Sequence, residues 1–183
     1  MKGFVVLAFV SLPLAALAAS AFSLESAEVK PGATIAAAQL YKGFGCDGGN
    51  VSPVLAWKNP PAGTKSFAVT VYDPDAPTGS GWWHWIVFNI PADVTSLPAG
   101  IGNPASGQTP KGAVQSKTDF GKPGYGGPCP PQGDKPHRYI FTVYALKVEK
   151  IDADENASGA MVGFMLNANK LDKASFTATY GRK

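Results

Sequence analysis

The clearest pattern in the chain is a set of four short runs rich in β-branched and aromatic residues. They cover residues 65–72, 85–90, 138–146 and 175–180. A cluster of Asp and Pro follows the first run and Pro91 follows the second, and proline cannot donate to the hydrogen-bond ladder of a strand. The runs therefore predict β-strands, and the nearly continuous apolar character of 85–90 predicts a strand buried on both faces.

Two further segments complete the predicted organisation. The apolar residues of 160–171 recur at helical spacing, after capping candidates at 154–158. Residues 98–136 hold 17 of the 37 glycines and prolines (21 Gly plus 16 Pro), and so long a loop inside a domain is usually functional or disordered. We expect an ordered binding loop, because the segment leads directly into a strong strand. The sequence predicts one mainly β, mostly antiparallel domain over residues 22–183, with one or two peripheral helices.

The first 21 residues have the pattern of a secretory signal peptide. Lys2 provides a basic start, an apolar core follows, and small residues gather near the end of the segment. Cleavage after Ala18, Ala19 or Ala21 would each leave small residues at the cut. The alternative is an uncleaved anchor, although the apolar run is shorter than the ~20 residues of a membrane span. We expect a periplasmic or secreted protein with no stable membrane insertion.

The charge balance excludes some classes of function. The chain has 16 Lys and Arg against 13 Asp and Glu, a formal net charge of +3, and no cluster of five or more basic residues. A nucleic-acid partner is therefore not expected. Residues 43–48 match the glycine spacing of a dinucleotide-binding loop, but a poor helix start follows them, so no cofactor is expected.

Both histidines of the chain lie at the entrances of predicted strands. His84 comes just before the second run and His137 just before the third, while Asp73 follows the end of the first. In an extended strand, His137 and Tyr139 point to the same face. Adjacent strands lie ~4.8 Å apart, so one pocket would hold both histidines with Asp73 and Tyr139 if these strands are neighbours. The alternative is that both histidines are half-buried structural residues.

Three of the four tryptophans surround His84 in the sequence. They are Trp82, Trp83 and Trp85. Strict alternation along a strand predicts that Trp83 and Trp85 share one face, and we expect these side chains to belong mostly to the core.

The two cysteines, Cys46 and Cys129, lie in a glycine-rich and a proline-rich segment. An even pair in an oxidising compartment favours a disulfide. Two separate thiols are the alternative, and the sequence leaves both open.

Four segments of the chain carry recognisable motifs: G-C-D-G-G-N-V-S-P at 45–53, Y-D-P-D-A-P at 72–77, W-H-W at 83–85, and G-P-C-P-P at 127–131 with H-R-Y at 137–139. With these motifs the chain resembles the phosphatidylethanolamine-binding proteins (PEBP), in particular their bacterial Raf-kinase-inhibitor-like branch. The resemblance extends over about residues 22–183. It implies a PEBP-like antiparallel β-sandwich with peripheral helices and a small pocket for phosphate-bearing head groups.

The resemblance also implies which residues line that pocket. They are Asp73, His84, His137 and Tyr139, with Cys129 and Pro130 forming one wall. Imidazole and phenol groups donate to phosphate, and a carboxylate can fix a histidine tautomer. Arg138 points to the opposite face from His137, so we expect weak binding of simple phosphate and better binding of a zwitterionic ligand.

The function expected from the sequence is an exported, regulatory or inhibitory binding module, and not an enzyme. Its ligand is an anionic or zwitterionic small molecule, bound with modest affinity that rises as the histidines protonate. The alternatives are a phosphoester hydrolase that uses Asp73, His84 and His137, and a metal site built from the same residues or from Cys129. A further alternative is an inhibitor that contacts a protease or another protein through 98–136. A homodimer is also left open.

Overall fold

The computed structural model describes residues 20–183. Apart from its last two residues, the predicted signal peptide (1–21) lies outside this range and stays a prediction. The strands are β1 (Ser23–Glu25), β2 (Lys42–Gly43), β3 (Cys46–Asp47), β4 (Leu55–Lys58), β5 (Ser66–Asp73), β6 (Trp82–Pro91), β7 (Ser96–Leu97), β8 (Val114–Gln115), β9 (His137–Leu146) and β10 (Lys170–Tyr180). One α-helix, α1 (Gly159–Asn169), and two short 3-10 helices, Ala37–Gln39 and Pro104–Ser106, complete the set of elements in these residues.

Two antiparallel sheets form the body of the described region. The larger has the strand order β10-β9-β5-β6-β8 and the smaller the order β1-β4-β7, while β2 and β3 pair only with each other. Leu55 and Trp57 of the small sheet share one apolar core with Phe67 and Phe141 of the large sheet. The predicted mainly β sandwich with peripheral helices is therefore confirmed.

The large sheet is buried on both faces, as the apolar run at 85–90 predicted. Val87 faces the core between the sheets, whereas Ile86 and Phe88 belong to a second core that α1 covers. Val162 and Leu166 are the buried apolar residues that α1 contributes to this second core. Ser158 caps the helix, since its hydroxyl accepts from the backbone N–H of Met161 at 3.2 Å.

The last strand begins earlier than predicted. The helix ends at Asn169, two residues before the predicted end at 171, and β10 begins at once with Lys170, five residues before 175. Residues 170–174 read K-L-D-K-A and have little intrinsic strand preference. They nevertheless pair with β9, from Lys170 opposite Leu146 onward, so the neighbouring strand imposes the extended conformation.

The predicted shared face of Trp83 and Trp85 is wrong, because a β-bulge interrupts the alternation. Trp85 lies opposite Val71 and Trp83 lies opposite the next residue, Tyr72, which leaves His84 as the extra residue of β6. Trp83 packs on the helix side and Trp85 lies in the core between the sheets. Bulges of this kind re-aim side chains, and here the bulged residue is a histidine of the candidate site.

The long segment 98–136 is ordered by contacts that reach distant parts of the chain. The Tyr125 hydroxyl donates to the carbonyl of Gln39 at 2.9 Å, and the Gly126 N–H donates to the carbonyl of His84 at 2.8 Å. Asn50 supports the same stretch, because its side chain accepts from the Gly127 N–H and donates to the Tyr125 carbonyl. Within residues 20–183, the structure contains no helix with the length and apolar character needed to cross a membrane.

The packing of Trp83 on α1 gives a test of the bulge. A Cβ on Gly159 would lie 2.4 Å from Cγ of the Trp83 ring, whereas a Cβ on Gly163 would lie 3.3 Å from its outer edge. We expect Gly159→Ala to lower the free energy of unfolding by about 1–3 kcal/mol through overpacking. Urea unfolding measures this, with Gly163→Ala as the matched control, for which we expect a clearly smaller loss. Equal effects of the two substitutions would contradict the placement of Trp83.

Candidate functional site

A cavity of about 210 Å³ opens where three strands of the large sheet meet their loops. Strand β5 ends at Asp73, β6 begins at Trp82 and β9 begins at His137. Because these strands are antiparallel neighbours, the end of β5 and the starts of the other two lie at the same edge of the sheet. All six residues predicted to bind a ligand line this cavity: Asp73, His84, Cys129, Pro130, His137 and Tyr139.

Asp73 is buried, and its carboxylate is fully engaged by the protein. Oδ1 accepts from the backbone N–H groups of Asp75 at 2.8 Å and Ala76 at 3.1 Å. Oδ2 accepts from Nδ1 of His137 at 2.8 Å. Asp73 therefore shapes the loop after β5 and holds a histidine, so it acts as a positioning residue of the cavity.

His137 lies between two carboxylates. Besides the bond to Asp73, its Nε2 lies 3.3 Å from Oδ2 of Asp134, whose side chain is partly exposed. Both ring nitrogens therefore lie within hydrogen-bond distance of carboxylate oxygens of the protein, in a residue that also lines the cavity.

His84 differs from His137 because, within residues 20–183, it forms no hydrogen bond to a carboxylate. Its Nδ1 donates to the carbonyl of Gly126 at 2.6 Å, which fixes the tautomer with an unprotonated Nε2. No described residue forms a hydrogen bond with that Nε2. Burial lowers the pKa of His84 from 6.5 to about 4, against the smaller opposing effect of the Gly126 carbonyl. At neutral pH His84 therefore offers the cavity an uncharged acceptor.

Tyr139 offers the complementary group. Its side chain is buried, and its hydroxyl has no hydrogen-bond partner among the described residues. Burial, together with the negative charge of Asp73, raises the pKa of Tyr139, so the phenol stays protonated. Its ring lies 5.1 Å from the ring of His84 in an edge-to-face arrangement. A buried hydroxyl without a partner is uncommon in folded proteins, and here it belongs to a side chain that lines the cavity.

Arg138 points away from the cavity, as alternation along β9 predicted. Its guanidinium donates to both oxygens of Asp75, at 2.9 and 2.7 Å, and its backbone N–H donates to the same carboxylate. Arg138 holds the pKa of Asp75 down at about 2. Among the described residues, no Lys or Arg lines the cavity.

Aromatic side chains that the sequence analysis did not assign to the site surround the mouth. Trp82 and Phe120 meet edge to face at 5.4 Å, and the Phe120 ring stacks on Tyr41 at 4.3 Å. Phe44, with 68% of its surface exposed, lies 6.0 Å from Phe120. A Cβ on Gly126 would lie 2.3 Å from the Phe120 ring, so only glycine lets that ring approach. Phe44 and Phe120 lie far from the histidines in sequence, and no local pattern connects them to the cavity.

The proline-rich wall of the cavity is joined covalently to another segment. The structure contains a Cys46–Cys129 disulfide with an S–S distance of 2.04 Å. Of the two alternatives that the sequence left open, a disulfide or two separate thiols, the structure has the disulfide. Pro130 and Pro131 continue the wall after Cys129. No group of three or more His, Cys, Asp or Glu side chains within residues 20–183 is arranged to hold a metal ion.

Comparison with known proteins finds one matching family model and similar bacterial proteins. The family model described as Phosphatidylethanolamine-binding protein matches residues 25–181, which include every cavity residue named above. The chain is 57% identical over 175 residues to the UPF0098 protein YbcL of Escherichia coli, an alignment of 96% of this chain and 94% of YbcL. It is 55% identical over 157 residues to the UPF0098 protein YbhB of the same species, an alignment of 86% of this chain and 98% of YbhB.

A solved structure shows the same architecture. The crystal structure of E. coli YbcL, described as a new member of the mammalian PEBP family, aligns with a TM-score of 0.87 and 59% sequence identity. This alignment covers 88% of the present chain and 99% of the YbcL chain.

The positioning role of Asp73 gives the first test of the site. We expect Asp73→Asn to lower the free energy of unfolding by about 2 kcal/mol, because a charge-assisted bond to His137 is lost in a buried place. Asp75→Asn is the matched control, since it breaks an exposed ion pair two residues away and should have a much smaller effect. Urea unfolding at neutral pH compares the two variants, and an equal loss in both would contradict the role of Asp73.

The burial of His84 gives a second test, through pH. The folded pKa of about 4 lies below the ordinary value of 6.5, so between these values the unfolded chain binds a proton that the folded chain does not. The free energy of unfolding of the wild-type protein therefore decreases as the pH falls from about 6.5 to about 4. We expect the difference in unfolding free energy between wild type and His84→Gln to shrink steadily from about pH 7 to about pH 4. A pH-independent difference would contradict a buried, neutral His84.

Proposed function

The chain belongs to the phosphatidylethanolamine-binding protein family, and from this we propose that it binds small anionic or zwitterionic ligands of the phospholipid head-group type. One observation carries the proposal. Two cavity residues each keep a polar atom that no described residue pairs: Nε2 of His84, a neutral acceptor, and the buried hydroxyl of Tyr139, a neutral donor. A buried hydroxyl without a partner is unfavourable in the free protein, so a ligand that reaches it gains that free energy on binding, and an N–H or O–H of the ligand can donate to Nε2 of His84.

The size of the cavity supports a head group in preference to a larger molecule. Its volume of about 210 Å³ is below the ~300–1,000 Å³ typical of sites for drug-sized ligands. A phosphate or phosphodiester with a short substituent suits such a space, while any attached chain would extend through the aromatic mouth.

The charges around the cavity favour a ligand with little net negative charge. No cationic Lys or Arg side chain lines it within residues 20–183, and the carboxylate of Asp73 lies in its wall. A phosphate oxygen at His84 would favour the protonated imidazole, so we propose that affinity rises as the pH falls. The hydroxyl of Tyr139 donates in either case.

The aromatic mouth supports the zwitterionic part of the proposal. Trp82 and Phe120 line the cavity beside Phe44, and their ring faces attract a cation such as an ammonium group. A head group that carries phosphate and ammonium would thus place the phosphate at the two polar groups and the ammonium at the rings.

We propose binding without catalysis. The hydrolase alternative requires free acid and base groups, but both oxygens of Asp73 and both ring nitrogens of His137 are engaged by the protein. His84 alone keeps an available nitrogen, and its lowered pKa makes it a poor acid at neutral pH.

We also propose that the protein is exported and acts by regulation or inhibition in the periplasm or outside the cell. The Cys46–Cys129 disulfide supports this location, because disulfides persist in oxidising compartments. The predicted signal peptide points to the same location.

The binding proposal is tested by removing one hydroxyl. We expect Tyr139→Phe to weaken the binding of phosphoethanolamine about tenfold in titration calorimetry, the equivalent of one lost hydrogen bond. The free variant should at the same time unfold with about 1 kcal/mol more free energy, because a buried unpartnered hydroxyl is gone. Only a residue built for a ligand produces these two opposite effects.

The controls separate the possible explanations. Tyr144→Phe removes a hydroxyl from the same strand on the helix side of the sheet, and it should leave affinity unchanged. Phosphorus NMR of the same mixtures detects release of inorganic phosphate, which would establish the hydrolase alternative instead. Absence of binding to wild type, or equal affinity of Tyr139→Phe and wild type, would refute the proposed site.

A further inference from the structure

The disulfide of this protein connects two sides of the cavity mouth. Cys129 lies in the proline-rich wall, and Cys46 lies in β3 of the hairpin formed by β2 and β3. The hairpin carries Phe44 at its tip, and Phe44 lines the same cavity as Cys129. The sulfur of Cys129 lies 3.6 Å from the carbonyl oxygens of both Gly43 and Phe44. The covalent bond thus fixes where the aromatic tip lies relative to the wall.

Within residues 20–183, few hydrogen bonds attach the hairpin to the rest of the protein. Its two strands have two residues each and, in this part of the chain, pair only with one another, outside both sheets of the sandwich. Its tip residue Phe44 adopts a left-handed conformation, with φ of 53°, that is unfavourable for a residue with a side chain. So short a hairpin is not stable by itself in water and takes its position from what it is tied to.

The wall is poorly equipped to hold the hairpin by hydrogen bonds. Pro128, Pro130 and Pro131 have no backbone N–H, so only their carbonyls can bond. The Pro128 carbonyl accepts from the Tyr41 N–H at 3.1 Å, and the Pro130 carbonyl accepts from Nε of Arg182 at 2.7 Å. Arg182 also donates to the Gly45 carbonyl in the hairpin at 3.1 Å. Among the described residues, Arg182 and one backbone bond accompany the disulfide at this seam, together with the Phe44 ring against Tyr41 and Phe120. The bonds from Gln39 and Asn50 to residues 125–127 hold the chain on either side of the hairpin and not the hairpin itself.

From this arrangement we propose that the Cys46–Cys129 disulfide is a redox switch of the ligand cavity. With the bond formed, Phe44 and the wall enclose the mouth. With the bond reduced, the hairpin 42–47 separates from the wall and the mouth loses one side. The inference rests on the proposed binding function, because the affinity that changes is that of the cavity for its ligand.

The switching reaction is thiol–disulfide exchange with a small dithiol or a thiol-bearing redox protein. Cys46 and Cys129 are both only partly buried, so a thiolate can reach one of the sulfurs. The thiolate forms a mixed disulfide with that sulfur and releases the other cysteine as a thiolate, which takes up a proton. A second thiol then releases the first cysteine. The protein disulfide is reduced to two thiols, and the two attacking thiols are oxidised to one disulfide.

The test compares the oxidised and reduced forms of the same wild-type chain. We expect dithiothreitol to weaken phosphoethanolamine binding about tenfold or more in titration calorimetry. Cys46→Ser/Cys129→Ser is the matched variant, which should bind as weakly as reduced wild type and should not respond to dithiothreitol. Equal affinity of oxidised and reduced wild type would overturn the switch.

Hydrogen exchange distinguishes failure of the switch from failure of the ligand assignment. On reduction, we expect amides of residues 42–48 to exchange about tenfold faster or more, while those of β5 and β9 keep their rates. If neither form binds phosphoethanolamine but the amides of the hairpin still exchange faster on reduction, the proposed ligand is wrong. The proposal that reduction releases the hairpin from the wall is then still supported. Unchanged exchange of the hairpin, or equally faster exchange throughout the sheet, would overturn the switch whatever the ligand.

Discussion

The buried carboxylate of Asp73 is the group on which the geometry of the cavity depends. Burial of a charge is strongly unfavourable unless hydrogen bonds replace its hydration. Here three donors do so, the N–H groups of Asp75 and Ala76 on one side and His137 on the other. The loop after β5 and the start of β9 can satisfy the carboxylate only when both are in place. The need of the buried Asp73 carboxylate for hydrogen-bond donors therefore fixes the positions of two sides of the cavity.

The second constraint is the bulge at His84. It separates Trp83 from Trp85, so that one ring packs under α1 and the other fills the core between the sheets. It also brings Nδ1 of His84 to the Gly126 carbonyl, in a segment more than forty residues further along. Asp73 and the bulge thus give the two histidines different states. His137 has its nitrogens between two carboxylates, while His84 is neutral and buried and its Nε2 has no partner among residues 20–183.

Much of this arrangement could be predicted from the sequence, and the features that could not be predicted depend on contacts formed only in the folded protein. Runs of β-branched and aromatic residues predicted the long strands, because such residues fit a buried sheet whatever its partners. The early start of β10 at Lys170 and the separation of Trp83 from Trp85 depend on pairing with neighbouring strands, which no local pattern encodes. The structure brings all six predicted ligand residues to one cavity. Asp73, His84, His137 and Tyr139 meet there because strand ends mark a common edge, whereas Cys129 and Pro130 lie in the loop before β9 and were predicted only from the family resemblance. The ring contacts of Phe44 and Phe120 depend on loops that meet only after folding.

The distribution of polar groups determines what kind of recognition this cavity can perform. Sites that bind phosphate tightly use Arg or Lys side chains or clusters of backbone N–H groups. Here Arg138, which is next to His137 in the sequence, forms an ion pair with Asp75 outside the cavity. The prolines of one wall have no backbone N–H to donate. The residues around the cavity thus include one neutral donor, one neutral acceptor, the carboxylate of Asp73 and aromatic surface, without a Lys or Arg among the described lining residues. The proposed preference for a zwitterion rests on this composition, because a ligand with its own cationic group does not depend on a positive charge from the protein.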